Sequence, residues 1–172
     1  AEGDSVRMVY TVPSNIVAVG NGTLRNVTTN DDKSTYEWFV SNPINNYNIS
    51  VQIGNYVAVQ DTFIKDKTIH NMNHYVLDYN KELASNYFTQ SKEIIRFYEK
   101  YFGNYQWYED GYKLIEVPYL GMEHQSAVTY GNGFSIYNGV RSKSWPMYGV
   151  IDPLIIHETG HEWFGNSVTA SD

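Results

Sequence analysis

The sequence predicts an α+β chain in which an all-β stretch gives way to a part that mixes strands with helices. Three observations predict it. Short runs of alternating apolar and polar residues fill the chain up to about residue 78; spacings of three and four take over from Asn80; and a proline opens an apolar helix near the end. The change of period places a boundary near residue 79, dividing the chain into residues 1–79 and residues 80–172.

The elements follow in order. Val6, Met8, Tyr10 and Val12 alternate with more polar neighbours until Pro13-Ser14-Asn15 breaks the run. Ile16 to Val19 precedes Gly20-Asn21-Gly22, a hairpin-type turn signal. Tyr36, Trp38 and Val40 alternate, as do Ile49, Val51 and Ile53, with breaks at Asn42-Pro43 and Gly54-Asn55. Short strands at this spacing suggest a sandwich or a meander. Leu83, Tyr87, Ser91, Ile94 and Tyr98 predict one helix of about six turns, at 3.6 residues per turn, capped by Asn80 and ended by a left-handed Gly103. A strand follows over Tyr112 to Val117, then a Gly-rich strand-and-turn stretch through Gly139. Pro153 starts the last helix, which is expected to run through Trp163 and Phe164.

Composition sets limits. Hydrophobic residues make up 42% and charged residues 18%, so a packed core is expected. The net charge of −7 is spread along the chain without a basic patch, which removes the electrostatic footprint of a nucleic-acid binder. With no cysteine, any metal must be held by His and carboxylate. No apolar run approaches the roughly 18 residues that span a bilayer. The chain starts at Ala1 without a Met or a signal segment, and only eleven residues follow His161, so both ends look cut. Asn-x-Ser/Thr triplets at Asn21, Asn26 and Asn48 lean toward an extracytoplasmic location.

The chemistry concentrates in His157-Glu158-Thr159-Gly160-His161. Histidines four apart project from one face of a helix and can grip one cation, and neutral imidazole is a favoured zinc ligand. Glu158 is offset by about 100° around the helix, beside the metal instead of in its shell, where it can act as general base toward a metal-activated water. Two histidines that merely sit a turn apart on a surface helix are the alternative, and the apolar flanks Ile155-Ile156 and Trp163-Phe164 argue against it. Gly160 sits mid-helix at a cost of about 1 kcal/mol relative to Ala, which points to another element packing closely there.

Glu123, in Gly121-Met122-Glu123-His124-Gln125, precedes His157 by 34 residues. By itself it reads as an exposed strand carboxylate. Together with the zinc helix, however, the segment resembles the M1 aminopeptidase family, in which a Gly-x-Met-Glu-Asn type segment precedes the His-Glu-x-x-His helix at about this distance. Tyr101-Phe102-Gly103-Asn104-Tyr105-Gln106-Trp107, His161-Glu162-Trp163-Phe164-Gly165-Asn166 and Trp38-Phe39-Val40-Ser41-Asn42-Pro43-Ile44 are similar to further segments of that family.

The resemblance implies the end of an all-β N-terminal domain followed by the first part of a thermolysin-like catalytic domain. It implies one zinc ion held by His157 and His161, with Glu158 as general base. Glu123 would bind the free α-amine of a peptide, while Gly121 and Met122 would lie along the substrate as an extended edge. The family's third zinc ligand is a Glu on the next helix, expected beyond residue 172, so the chain alone is expected to bind zinc weakly or not at all and not to turn over. His124 stands where the family commonly has Asn, and Leu120 precedes Gly121, so the segment is a variant. A zinc endopeptidase with a structural Glu123, and a non-enzymatic β-rich binding module, are the alternatives.

Overall fold

The computed structural model describes residues 2–134 and 151–169. In the N-terminal part, β2 (Val6–Pro13), β4 (Thr23–Asn30) and β5 (Lys33–Val40) form an antiparallel sheet in the order β2-β5-β4. The turn from β4 to β5 is made by Asp31-Asp32, with Asp31 at φ 51°. Two short pairs accompany it: β1 (Glu2–Gly3) with β6 (Ile44–Asn45), and β3 (Val17–Gly20) with β7 (Val51–Gly54). The alternation of β2 is real, since Met8 and Val12 turn inward.

Gly20-Asn21-Gly22 does not close a hairpin. β3 pairs with β7, and the chain crosses at Gly22 into the sheet of β4. Gly22 is required there by close approach: at φ 73°, an added Cβ would sit 2.0 Å from the carbonyl oxygen of Phe39.

A five-stranded sheet lies between the two parts and draws on both. Its order is β13 (Gly121–Met122), β14 (Val128–Tyr130), β12 (Leu114–Glu116), β11 (His74–Leu77), β8 (Tyr56–Val59). The pairs of β12 with β11 and with β14 are parallel, and the edge strands β8 and β13 run antiparallel to their neighbours. Side chains alternate across it. Tyr75 and Ile115 join Met8, Val19, Trp38 and Ile44 in one core, while Val76, Leu114 and Val128 pack with Phe88, Ile95 and Ile155 in another. A hairpin of β9 (Thr62–Lys65) and β10 (Thr68–Asn71) turns at Asp66-Lys67, both at positive φ.

The single helix expected over residues 80–103 is two, α1 (Lys81–Tyr87) and α2 (Gln90–Phe102). Hydroxyls break it: Thr89 Oγ1 donates to Asn86 O at 2.6 Å and Ser91 Oγ to Phe88 O at 2.6 Å, competing for carbonyls at the end of α1. Asn80 stands at the N-cap position but does not cap; its amide donates to Glu116 Oε1 instead. Gly103 does take positive φ, at 95°. The last helix, α3 (Pro153–Gly160), is shorter than expected. Beyond it the bonds leave the α-helical spacing, first three residues apart (Trp163 N–H to Gly160 O) and then five (Asn166 N–H to His161 O), and Gly165 turns the chain at φ 127°. Trp163 is buried, but Phe164 is exposed, so only one of the two residues expected to bury this end does so. The stretch expected to extend through Gly139 contributes β13 and β14; its residues 135–139 lie outside the described residues. No described helix is long and apolar enough to cross a membrane.

Candidate metal centre and active site

Helix α3 is fixed at its start by Asp152. Its carboxylate accepts the Leu154 N–H at 2.8 Å, the Tyr87 and Tyr130 hydroxyls at 2.8 Å each, and the Asn132 amide at 3.0 Å. In the sequence the signal is Asp152-Pro153, a capping residue directly before the proline that starts the helix. Leu154 and Ile155 face the core, and Thr159 Oγ1 lies 2.7 Å from the Tyr112 hydroxyl. Gly160 is there because α2 packs on it: an added Cβ would lie 2.5 Å from the Tyr98 hydroxyl oxygen, and that hydroxyl donates to Ile156 O at 3.1 Å.

Held this way, α3 turns His157 outward, Glu158 inward and His161 half-way between. The two Nε2 atoms stand 3.3 Å apart. His161 Nδ1 lies 2.9 Å from Phe164 O, an acceptor only, so Nδ1 carries the proton and Nε2 the lone pair. Two nitrogens on a tetrahedral zinc, at about 2.0–2.1 Å from it, stand about 3.3–3.4 Å from each other. The pair therefore fits a zinc ion. One ligand atom from each of His157, Glu158 and His161 lies within 4.8 Å of the others, the one such group of three among the described residues.

Glu158 is buried, and burial followed by the nearby charge of Glu123 pushes its carboxyl up to about 7, with His161 opposing. The segment from Gly121 lies directly over it. A Cβ on Gly121 would come within 2.8 Å of Glu158 Oε1 and 3.1 Å of Thr129 O, so a side chain here would push the Glu158 carboxylate aside. Gly121 and Met122 form the edge strand β13, and Glu123 follows, half-buried. The structure thus brings Gly121, Met122 and Glu123 together with the residues of α3.

Residues that the sequence reading passed over complete the surroundings. Asn166 Nδ2 donates to Glu123 O at 3.0 Å and to Glu162 Oε2 at 3.2 Å, and its Oδ1 accepts from Asn48 Nδ2 at 2.7 Å. Glu162 is buried, accepts the Ser126 N–H at 2.8 Å, and is pushed up to about 7 by burial. Tyr47 reaches in from the N-terminal part; its hydroxyl donates to Asn166 Oδ1 at 3.4 Å, and burial and the charge of Glu123 raise its pKa. Nothing in period or spacing connects residues 47 and 48 to 166. Of the three Asn-x-Ser/Thr triplets, Asn21 and Asn48 are fully buried and Asn26 is exposed.

Fold and site together define an α+β protein with two histidines and a buried glutamate clustered on one helix. The model of the peptidase family M1 domain matches residues 86–172, and the chain belongs to that family. It is similar in fold to a mutant two-domain M1 zinc metallopeptidase bound to L-tryptophan, with a TM-score of 0.76 at 16% identity, covering 98% of this chain and 36% of that one. It is similar also to the M1 zinc metallopeptidase from Deinococcus radiodurans (TM-score 0.72, 16% identity, 98% and 35%) and to a mutant of it bound to a Tyr-Ser-Ala substrate (TM-score 0.70, 16% identity, 98% and 36%). The chain thus spans about a third of the length of these solved structures. Among curated proteins nothing matches.

Proposed function

We propose that this chain carries the metal-gripping and amine-recognising portion of a zinc aminopeptidase. Residues 1–79 are the end of its N-terminal β domain and residues 80–172 the start of its catalytic domain. The observation that carries the reading is the 3.3 Å approach of His157 and His161 Nε2, with a buried Glu158 beside them and Glu123 close enough to raise its pKa. His157 and His161 hold one zinc ion, and a third protein ligand comes from beyond residue 172.

Zinc bound there would polarise a scissile carbonyl and make water a nucleophile near neutral pH. Glu158, buried beside the two histidines, is placed to take a proton and give it to the leaving amine. Glu123 pairs with the ammonium of a substrate's first residue and so sets the register of cleavage. Gly121 and Met122, at the edge of the sheet, offer main-chain hydrogen bonds to an extended peptide. The Tyr-Ser-Ala ligand of the Deinococcus radiodurans enzyme is a peptide of the kind this site would take.

Glu123→Ala in the full-length peptidase tests this reading. The free-amine interaction is a charge-assisted hydrogen bond of about 1.5–3 kcal/mol, so preference for free over N-blocked peptides should fall by about tenfold to a hundredfold. Retention of that preference would overturn the amine-binding role of Glu123, and its absence in the unsubstituted peptidase would favour the endopeptidase reading.

A further inference from the structure

The segment from Glu123 to Ser126 has an unusual backbone. Ser126 sits at φ 60°, in the left-handed region that non-glycine residues rarely adopt. Such a residue persists only where its surroundings over-determine it. The surroundings here do. Ser126 N–H donates to Glu162, and Ser126 O accepts from the buried ammonium of Lys113 at 2.8 Å. Gly22 N–H donates to Ser126 Oγ at 2.9 Å. Immediately before it, Gln125 O accepts from Asn21 Nδ2 at 2.7 Å.

Asn21 is fully buried and both polar atoms of its side chain are engaged. Its amide also donates to Asn48 O at 2.9 Å, and its Oδ1 accepts the Ser50 N–H at 2.8 Å. Those two bonds would suffice to tie the N-terminal strands to one another. The third spans 104 positions and ends two residues from Glu123. We propose that Asn21 is a positioning residue of the site: from the N-terminal β part it holds the Glu123 segment in place over the zinc helix. The inference rests on the reading of Glu123 as the amine-binding carboxylate. It also gives the triplet at Asn21 a structural meaning in place of a glycan.

Amide hydrogen exchange on the full chain tests it. Asn21→Asp keeps the acceptor for Ser50 N–H and replaces the donors with an oxygen that repels Gln125 O. The amides of Ser126 and Ala127 should then exchange at least about tenfold faster relative to those of α3. Trp38→Phe, which removes the indole donor to Ala18 O within the same β part, is the reference for general weakening and should leave that ratio unchanged. Should Asn21→Asp fail to fold, Asn21→Ser gives up the same donor pair with a smaller, uncharged side chain. Equal acceleration in the Asn21 variant and in Trp38→Phe, or none at Ser126 and Ala127, would overturn the proposal. The Glu123→Ala measurement tests the amine reading separately, so either can fail by itself.

Discussion

The two faces of the five-stranded sheet are covered in different ways. Toward the helices the contact is mainly apolar and aromatic: Phe88, Ile95, Leu114, Val128, Ile155 and Trp163 interlock there, with His74, Asp152 and Thr159 as buried polar members. Toward the N-terminal strands an apolar patch around Trp38, Tyr75 and Ile115 is bordered by buried polar side chains: Asn21, Lys113 and Gln125 satisfy main-chain groups across the junction, and Asn166 meets the Asn48 side chain there. Apolar burial is strong but tolerant of small shifts, whereas a hydrogen bond fixes distance and direction. The difference teaches that the helical face supplies most of the stability, and the polar junction sets where Glu123 stands relative to His157 and His161.

Substitutions on the two faces should separate these roles. The largest effect belongs to apolar loss. Phe88→Ala, on the helical face, removes a side chain only 1% exposed and should cost about 3–5 kcal/mol, read as a lower midpoint in urea unfolding. A change below 1 kcal/mol would show that this face carries less of the fold than the contacts imply.

Lys113→Met comes next. It leaves the carbonyls of Gly22 and Ser126 without their donor, at a cost of about 1–3 kcal/mol. Its pH signature is the sharper test. Burial lowers the folded pKa of Lys113 from 10.5 to about 7, so the unfolded chain binds more protons between those values and stability rises with pH across that window. The variant should lose that rise when unfolding is compared at pH 7 and pH 9.5.

The smallest effect is at Glu158 in the metal-free chain. Its folded pKa, about 7, stands above its ordinary 4.5, so the native state holds the extra proton between these values. Its contribution to stability is therefore complete below pH 4.5 and is lost as pH rises to 7. Glu158→Gln should match the parent chain at pH 4 and exceed it at pH 8 by about 1 kcal/mol or less, discounted for solvent screening. A deficit at pH 8 would mean that the carboxylate is welcome where it stands.

Sequence reading reached the apolar face far better than the polar one. Helix α3 was legible because three signals agree: a proline at its first turn, apolar flanks, and two histidines on one face. The strands β2 and β5 were legible from alternation. The break between α1 and α2 was not, because Thr89 and Ser91 act through hydroxyl bonds that leave the apolar period intact. The hairpin at Asp31-Asp32 lacks a glycine, while Gly20-Asn21-Gly22 has two and makes none. A glycine signals an unusual backbone without saying which sheet comes next. The junction was invisible for a simpler reason: Asn21 and Gln125, or Asn48 and Asn166, are partners only once the chain has folded.

The most direct measurement is a zinc titration of the chain followed by the imidazole resonances of all five histidines. Weak binding of one ion is predicted, shifting His157 and His161 together, with either substitution, His157→Ala or His161→Ala, abolishing the response of the other ring. A response unchanged in the double variant, or no joint shift of the two rings at millimolar zinc, would contradict the account.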